Sequence, residues 1–238
     1  MSKIFIDAGH GGTETGAIGH GIIEKNINLV VALEVKRILA LNGQTVKMSR
    51  ETDLTIGLTD RCTMSNQWGA DYFISIHHNA NDGATNGTEI YSSVTGGKGT
   101  ELALSIAKVF QNLGRHTACI QRDSESNPGQ GQDYYAVIRQ PNAPAIITEA
   151  GYIDSGDYIN FDTAAELQAE ARQIAEGILT YLGVTNIQYT NTQVIEHWAQ
   201  APYEYLKSKG IKIYETRFDD KITRGEVFAL LAQLIQSR

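Results

Sequence analysis

Residues 3–12 read Lys-Ile-Phe-Ile-Asp-Ala-Gly-His-Gly-Gly. A short apolar run stops at Asp7 and breaks into glycines, so the segment predicts a strand followed by a loop that carries His10. Downstream, residues 24–42 place Ile27, Val31, Val35 and Ile38 at helical spacing, with Gly43 as a stop signal. Residues 44–49 and 71–77 predict two further strands, and residues 56–68 and 100–113 two further helices. Between residues 114 and 133 the pattern dissolves into Ser, Asn, Gly, Gln and Asp, which predicts a long loop of the kind that often serves function. Residues 144–149 then predict a short buried strand, and residues 163–182 a helix ending near Gly183. Strands alternating with helices predict an α/β domain over residues 1–184, built on a mostly parallel twisted sheet flanked by helices.

Residues 185–192 are polar and unpatterned and read as a linker. Residues 193–238 predict a small all-helical domain. Its first helix covers about 193–209 and stops at Gly210; its second opens at Thr223-Arg-Gly-Glu226, which has the spacing of a capping box.

The 238 residues are 42% hydrophobic and 20% charged, with a formal net charge of −7. That is an ordinary globular mix. An acidic chain without a basic block argues against nucleic acid as a partner, because phosphate contacts need clustered Lys and Arg. Cys62 and Cys119 stand far apart and outside any C-x-x-C pair, so two free thiols are expected. No apolar run approaches the roughly 18 residues of a membrane helix, so no membrane partner is expected. The chain enters its first strand with no signal-peptide pattern before it, which predicts a soluble product, cytoplasmic on synthesis.

Four residues with metal or acid/base chemistry fall at the ends of predicted elements. His10 follows the first strand, Glu24 opens the first helix, His77 closes the third strand and Glu149 closes a later one. In an open parallel sheet, ligands gather outside the carboxyl ends of the strands. Zinc takes imidazole nitrogen and carboxylate oxygen, and a catalytic zinc keeps one position open. Each residue also has an ordinary reading. His10 suits a structural loop position, and Glu24 a favourable charge at a helix N-terminus. His77 and His78 are neighbours on a strand and point to opposite faces, so at most one is a ligand. Glu149 ends an apolar strand, where an unpaired carboxylate is costly, so it has either a functional role or an Arg partner. His20, His116 and His197 lack such context and read as surface or structural residues. Tyr134-Tyr135 precede a strand-like run and suit packing or stacking on sugar or peptide.

Four ordered segments carry a family resemblance: Asp7-Ala-Gly-His-Gly-Gly12, Glu24-Lys-Asn-Ile-Asn-Leu29, Ser75-Ile-His-His-Asn-Ala80 and Ile147-Thr-Glu-Ala-Gly-Tyr152. Met48-Ser-Arg50, Asp53, Leu58, Arg61 and Gly87-Thr-Glu-Ile-Tyr91 lie between them. Over residues 3–183 the chain resembles the zinc-dependent N-acetylmuramoyl-L-alanine amidases of the amidase-3 type. The resemblance implies that His10, Glu24 and His77 bind zinc and that Glu149 is the catalytic acid/base. It implies peptidoglycan as substrate, cleaved at the amide between the lactyl group of N-acetylmuramic acid and L-alanine. His78 stands where the family usually carries a small or apolar residue, and is expected to be a neighbour of the site, with its role, substrate contact included, left open. Asp-Ala-Gly-His replaces the usual Asp-Pro-Gly-His, and Gly151-Tyr-Ile-Asp-Ser155 the commoner Gly-Phe-Ile-Ser-Asn.

Residues 193–235 resemble one S-layer homology repeat, through Trp198, Tyr205-Leu206, Gly210-Ile211 and Ile222-Thr-Arg-Gly-Glu226. The resemblance implies binding of a secondary wall polymer, with Trp198 and Arg224 as contacts. The alternative is a small helical appendage. Such repeats usually come in threes, so a monomer or a weak homodimer that supplies multivalency is expected. A hydrolase domain, linker and wall-binding unit together resemble a phage endolysin, released from the cytoplasm to the wall. A host autolysin, a zinc peptidase acting on another wall amide, and a catalytically dead wall-binding module are the alternatives.

Overall fold

The computed structural model describes residues 1–124 and 131–189. The helical unit expected at 193–238, with Trp198, Arg224, His197 and the capping-box spacing at 223–226, lies outside the described residues, as do residues 190–192 of the expected linker.

The described elements run β1 (Lys3–Ala8), β2 (Ile18–Gly19), β3 (Ile22–Ile23), α1 (Glu24–Leu41), β4 (Thr45–Met48), α2 (Leu58–Trp68), β5 (Tyr72–Asn79), β6 (Thr88–Ser92), α3 (Lys98–Asn112), β7 (Thr117–Gln121), α4 (Ala136–Arg139), β8 (Ala145–Tyr152) and α5 (Ala164–Tyr181), with a 3-10 turn at Gly156–Asn160 before α5. Six strands form one sheet in the order β4-β1-β5-β8-β6-β7. β4, β1, β5 and β8 run parallel; β6 pairs antiparallel with β8, and β7 follows β6. The sheet is mostly parallel, as the alternation of strand and helix patterns predicts.

Period-two alternation distributes the side chains of the central strands between two cores. Ile4, Ile6, Ile74, Ile76 and Ile146 pack with α1, α3 and α5 on one face. Phe5, Phe73 and Ile147 pack with Cys62 of α2 and with Val137 and Ile138 of α4 on the other. On the first face α3 and α5 approach closely at Gly177, where a Cβ would lie 2.5 Å from Ile106 Cα. The start of α5 is closed by a capping box in which Thr163 accepts from the Glu166 amide and Glu166 accepts from the Thr163 amide.

Four features differ from the sequence expectation. The stretch expected as a long loop contains β7, an edge strand only partly buried along its length. β6 was not expected either, because Thr88-Glu-Ile-Tyr-Ser92 mixes polar and apolar residues without a clear alternation. Tyr134-Tyr135 lead into a helix, α4, and not into a strand. Residues 185–189 lie along α1 and α5. Asn42 exchanges hydrogen bonds with the Gln188 backbone at 2.7 and 2.8 Å, and the Tyr189 hydroxyl donates to Glu176 at 2.9 Å.

Candidate metal centre

β1 delivers the chain to the carboxyl edge of the sheet, where His10 adopts φ 58°. A left-handed conformation at a residue with a Cβ costs about 1–2 kcal/mol and persists only where its surroundings hold it. Two buried arginines do so by taking the carbonyls of the turn. Arg50 donates to the carbonyl oxygens of Ala8 (2.9 Å), Gly9 (2.8 Å) and Lys25 (2.7 Å). Arg61 donates to those of Ala8 and His10, both at 2.7 Å, and to Asp7 Oδ1 at 2.7 Å. Burial opposes ionisation of Asp7. The Arg61 guanidinium, with hydrogen bonds from Ser49 and Ser75, overcomes this and holds the carboxyl below its ordinary range. Gly9 lets the turn meet β5, since a Cβ there would lie 2.3 Å from His77 Nε2.

Glu24 opens α1 at the same edge and is 3% exposed. Its Oε2 accepts from the Ala17 amide at 2.9 Å and lies 3.1 Å from His10 Nε2. Its Oε1 accepts from Asn28 Nδ2 at 3.0 Å and from the His78 amide at 3.2 Å, and lies 2.9 Å from His77 Nδ1. Burial pushes the Glu24 carboxyl up, but hydrogen bonds and charge from His10 and His77 outweigh it, and the group is held far below the usual carboxylate range. One ligand atom from each of His10, Glu24 and His77 lies within 4.8 Å of the others. Two imidazoles and an ionised carboxylate at that spacing fit the donor set of a catalytic zinc site.

Glu149 stands opposite His77 on β5 and opposite Glu89 on β6. Its Oε2 is covered and has no hydrogen-bond partner. Burial, then the charges of Glu24 and Glu89, push its carboxyl well above the ordinary value. Glu89 Oε2 itself accepts from Asn79 Nδ2 at 2.9 Å and from the Tyr91 hydroxyl at 2.6 Å.

The structure brings His10, Glu24, His77 and Glu149 to one sheet edge. Among the described residues, His20, His78 and His116 do not join the ligand cluster. His20 forms the turn of the β2–β3 hairpin at φ 49°, with its ring stacked on Tyr158 at 4.2 Å. His116 is exposed at the start of β7. His78, expected as a neighbour of the site, is buried with its side chain wholly covered, and contacts Asn28 and Glu170. A register irregularity between His77 and Asn79 accompanies this placement. The Tyr135 ring meets Tyr91 edge-on at 4.9 Å, so this half of the pair is used in packing. Sequence reasoning missed Asn28 and Glu89. Asn28 lies one helical turn after Glu24, a spacing that puts both on one face and was the available signal.

Residues 4–180 match the family described as Amidase_3, N-acetylmuramoyl-L-alanine amidase. The chain belongs to that family. It is 36% identical over 181 residues to the sporulation-specific N-acetylmuramoyl-L-alanine amidase of Bacillus subtilis, a match covering 75% of this chain and 67% of the relative. It is 35% identical over 184 residues to the endolysin of Bacillus phage SPP1, covering 74% of this chain and 64% of that one. Among solved structures it is similar to the catalytic domain of the amidase CwlV from Bacillus (Paenibacillus) polymyxa, with a TM-score of 0.67 and 29% identity, over 78% of this chain and 100% of that one. The chain is thus an amidase of the peptidoglycan-hydrolysing class, and its α/β domain is the catalytic fold of that class.

Proposed function

We propose that His10, Glu24 and His77 hold a zinc ion and that Glu149 is the general acid/base for hydrolysis of the amide between N-acetylmuramic acid and L-alanine. One observation carries this reading: three ligand atoms converge within 4.8 Å beside a carboxylate whose covered oxygen has no partner. When bound, zinc supplies Lewis acidity, which lowers the pKa of an attacking water towards about 7 and polarises a carbonyl. The chain's own residues do the rest. The Asn28 side chain and the amides of Ala17 and His78 aim the Glu24 carboxylate. Glu149 takes the proton of the attacking water and returns it to the leaving amine; burial and the neighbouring carboxylates make its ionised form the stronger base.

The test is digestion of purified peptidoglycan with the full chain, with and without a chelator. The expected outcome is new L-alanine amino termini with no new reducing sugar, abolished by the chelator and restored by added zinc. Activity that survives complete metal removal overturns the zinc reading, and new termini at another amide overturn the substrate bond.

The biological setting we propose is phage-driven lysis, supported by similarity to the SPP1 endolysin. Similarity to the sporulation-specific amidase supports a bacterial autolysin as the second reading. A holin gene beside the coding sequence separates the two. The C-terminal residues, with Trp198 and Arg224, are proposed to bind a secondary wall polymer; a reporter fused to residues 185–238 that stays in the supernatant of pelleted walls overturns that role.

A further inference from the structure

Glu170 projects from α5 with its side chain fully covered, and its Oε1 has no hydrogen-bond partner. A buried carboxylate is costly unless paired. Its Oε2 lies 3.0 Å from Nε2 of His78, whose side chain is equally covered. The proposed mechanism uses neither side chain.

The other nitrogen of the His78 ring, Nδ1, lies 2.8 Å from Asn28 Oδ1. The Asn28 amide gives its two N–H groups to Glu24 Oε1 at 3.0 Å and to the Gly9 carbonyl at 3.3 Å. Its oxygen is therefore the acceptor, and His78 Nδ1 is the donor. Side chains thus follow one another from Glu170 on α5, through His78 on β5 and Asn28 on α1, to Glu24.

An asparagine amide has nearly the same shape either way round. Turned over, Asn28 would aim its oxygen at Glu24 Oε1 and at the Gly9 carbonyl, both acceptors. The Nδ1–H of His78 opposes this, because it requires an acceptor at the near end of the amide. Glu170 engages the other nitrogen, so the ring cannot turn over without losing both partners. The Phe161 ring packs edge-on against it at 4.8 Å.

We propose that His78 and Glu170 are positioning residues: through the Asn28 amide they set the orientation of the Glu24 carboxylate, and with it the zinc affinity of the site. The inference rests on the zinc reading above. Partners that orient a metal ligand are typically worth 10–100-fold in affinity, and a pair acting through an intervening amide is expected near the lower end, about 10-fold.

Two substitutions at one position separate this role from stability alone. In His78→Asn the new amide sits near the place of Nδ1 and keeps the contact to Asn28. In His78→Gln it sits near the place of Nε2 and keeps the contact to Glu170. Zinc affinity of the full chain is read by competition with a chromophoric chelator, and Tm alongside. The expected result is His78→Asn close to wild type and His78→Gln about 10-fold weaker, although His78→Gln keeps the buried carboxylate partnered and melts higher. Zinc affinity that follows Tm, with His78→Gln the tighter binder, overturns the proposal. The double variant His78→Phe, Glu170→Met removes the pair without stranding a charge, and is expected to keep the fold and bind zinc about 10-fold more weakly; wild-type affinity there also overturns it. In an Asn28→Leu background, His78→Gln is expected to have no further effect on affinity, because the amide it acts through is gone. Wild-type protein that takes up no zinc overturns the metal reading and this inference together, whereas zinc-binding wild type with variants of equal affinity overturns this inference alone.

Discussion

The two halves of the site treat their carboxylates in opposite ways. On the β1–α1 side, Glu24 is ringed by donors: two backbone amides and the Asn28 side chain reach it, and two histidines face it. On the β8–β6 side, Glu149 has a covered oxygen with no donor and stands across from a second carboxylate, Glu89, which takes the donors of Asn79 and Tyr91. A carboxylate supplied with donors and positive neighbours stays ionised; one that is buried among like charges takes up a proton more readily. The supply of hydrogen bonds, more than residue type, distinguishes a glutamate suited to holding a cation from one suited to moving a proton.

The sharpest way to break this contrast is Glu149→Gln. Loss of a general acid/base costs about 10²–10⁴-fold in turnover, while the donor-rich half keeps its metal. Unimpaired hydrolysis with full zinc content by elemental analysis would remove Glu149 from the chemistry. The donor-rich half is broken instead by Arg61→Leu, which strands Asp7 without its counter-charge. That is expected to cost about 3–5 kcal/mol, read as a Tm lower by roughly 10 °C. A Tm within a degree of wild type would mean that the arginines do not support the His10 turn.

Acid titration sharpens the same point. Asp7 is held below its ordinary 3.8 in the folded state. Its contribution to stability is therefore present above the unfolded value and is lost as pH falls through the folded one. Asp7→Asn is expected to flatten the acid end of the stability curve, and an unchanged slope below pH 3.8 argues against the pairing. The smallest expected effect comes from Glu89→Gln. Burial contributes most to the raised Glu149 pKa, Glu24 next and Glu89 after it, so removing the Glu89 charge lowers that pKa. The acidic limb of kcat/KM is expected to move to lower pH. A limb that stays in place shows that Glu89 acts through Asn79 and Tyr91 alone.

Much of this was legible from the chain. His10 and Glu24 fall at ends of elements whose apolar patterns are clear, while β5 and β8 run on past His77 and Glu149 to Asn79 and Tyr152, and a mostly parallel sheet carries all four towards one edge. β7 was not legible, because an edge strand buries too little of its length to alternate cleanly. Nor was the role of His78. Alternation along a strand says that it points away from His77, but not that a carboxylate from α5, 92 residues onward, meets it in the core. Contacts of that range carry no local signal in the sequence. Glu170 sits on a helix whose other acidic residues, Glu166 and Glu176, are only half-buried.

The reversal of β6 has an architectural consequence. β8 lies between β5 and β6, so residues 80–87 must pass over the end of β8 that carries Glu149. Three backbone amides anchor that passage, those of Asn81 and Gly83 on Asp154 and that of Gly87 on Asp157. Residues 80–87 are therefore tied to the chain just beyond β8 rather than to either strand they connect, and the crossing is fixed by two aspartates, Asp154 and Asp157.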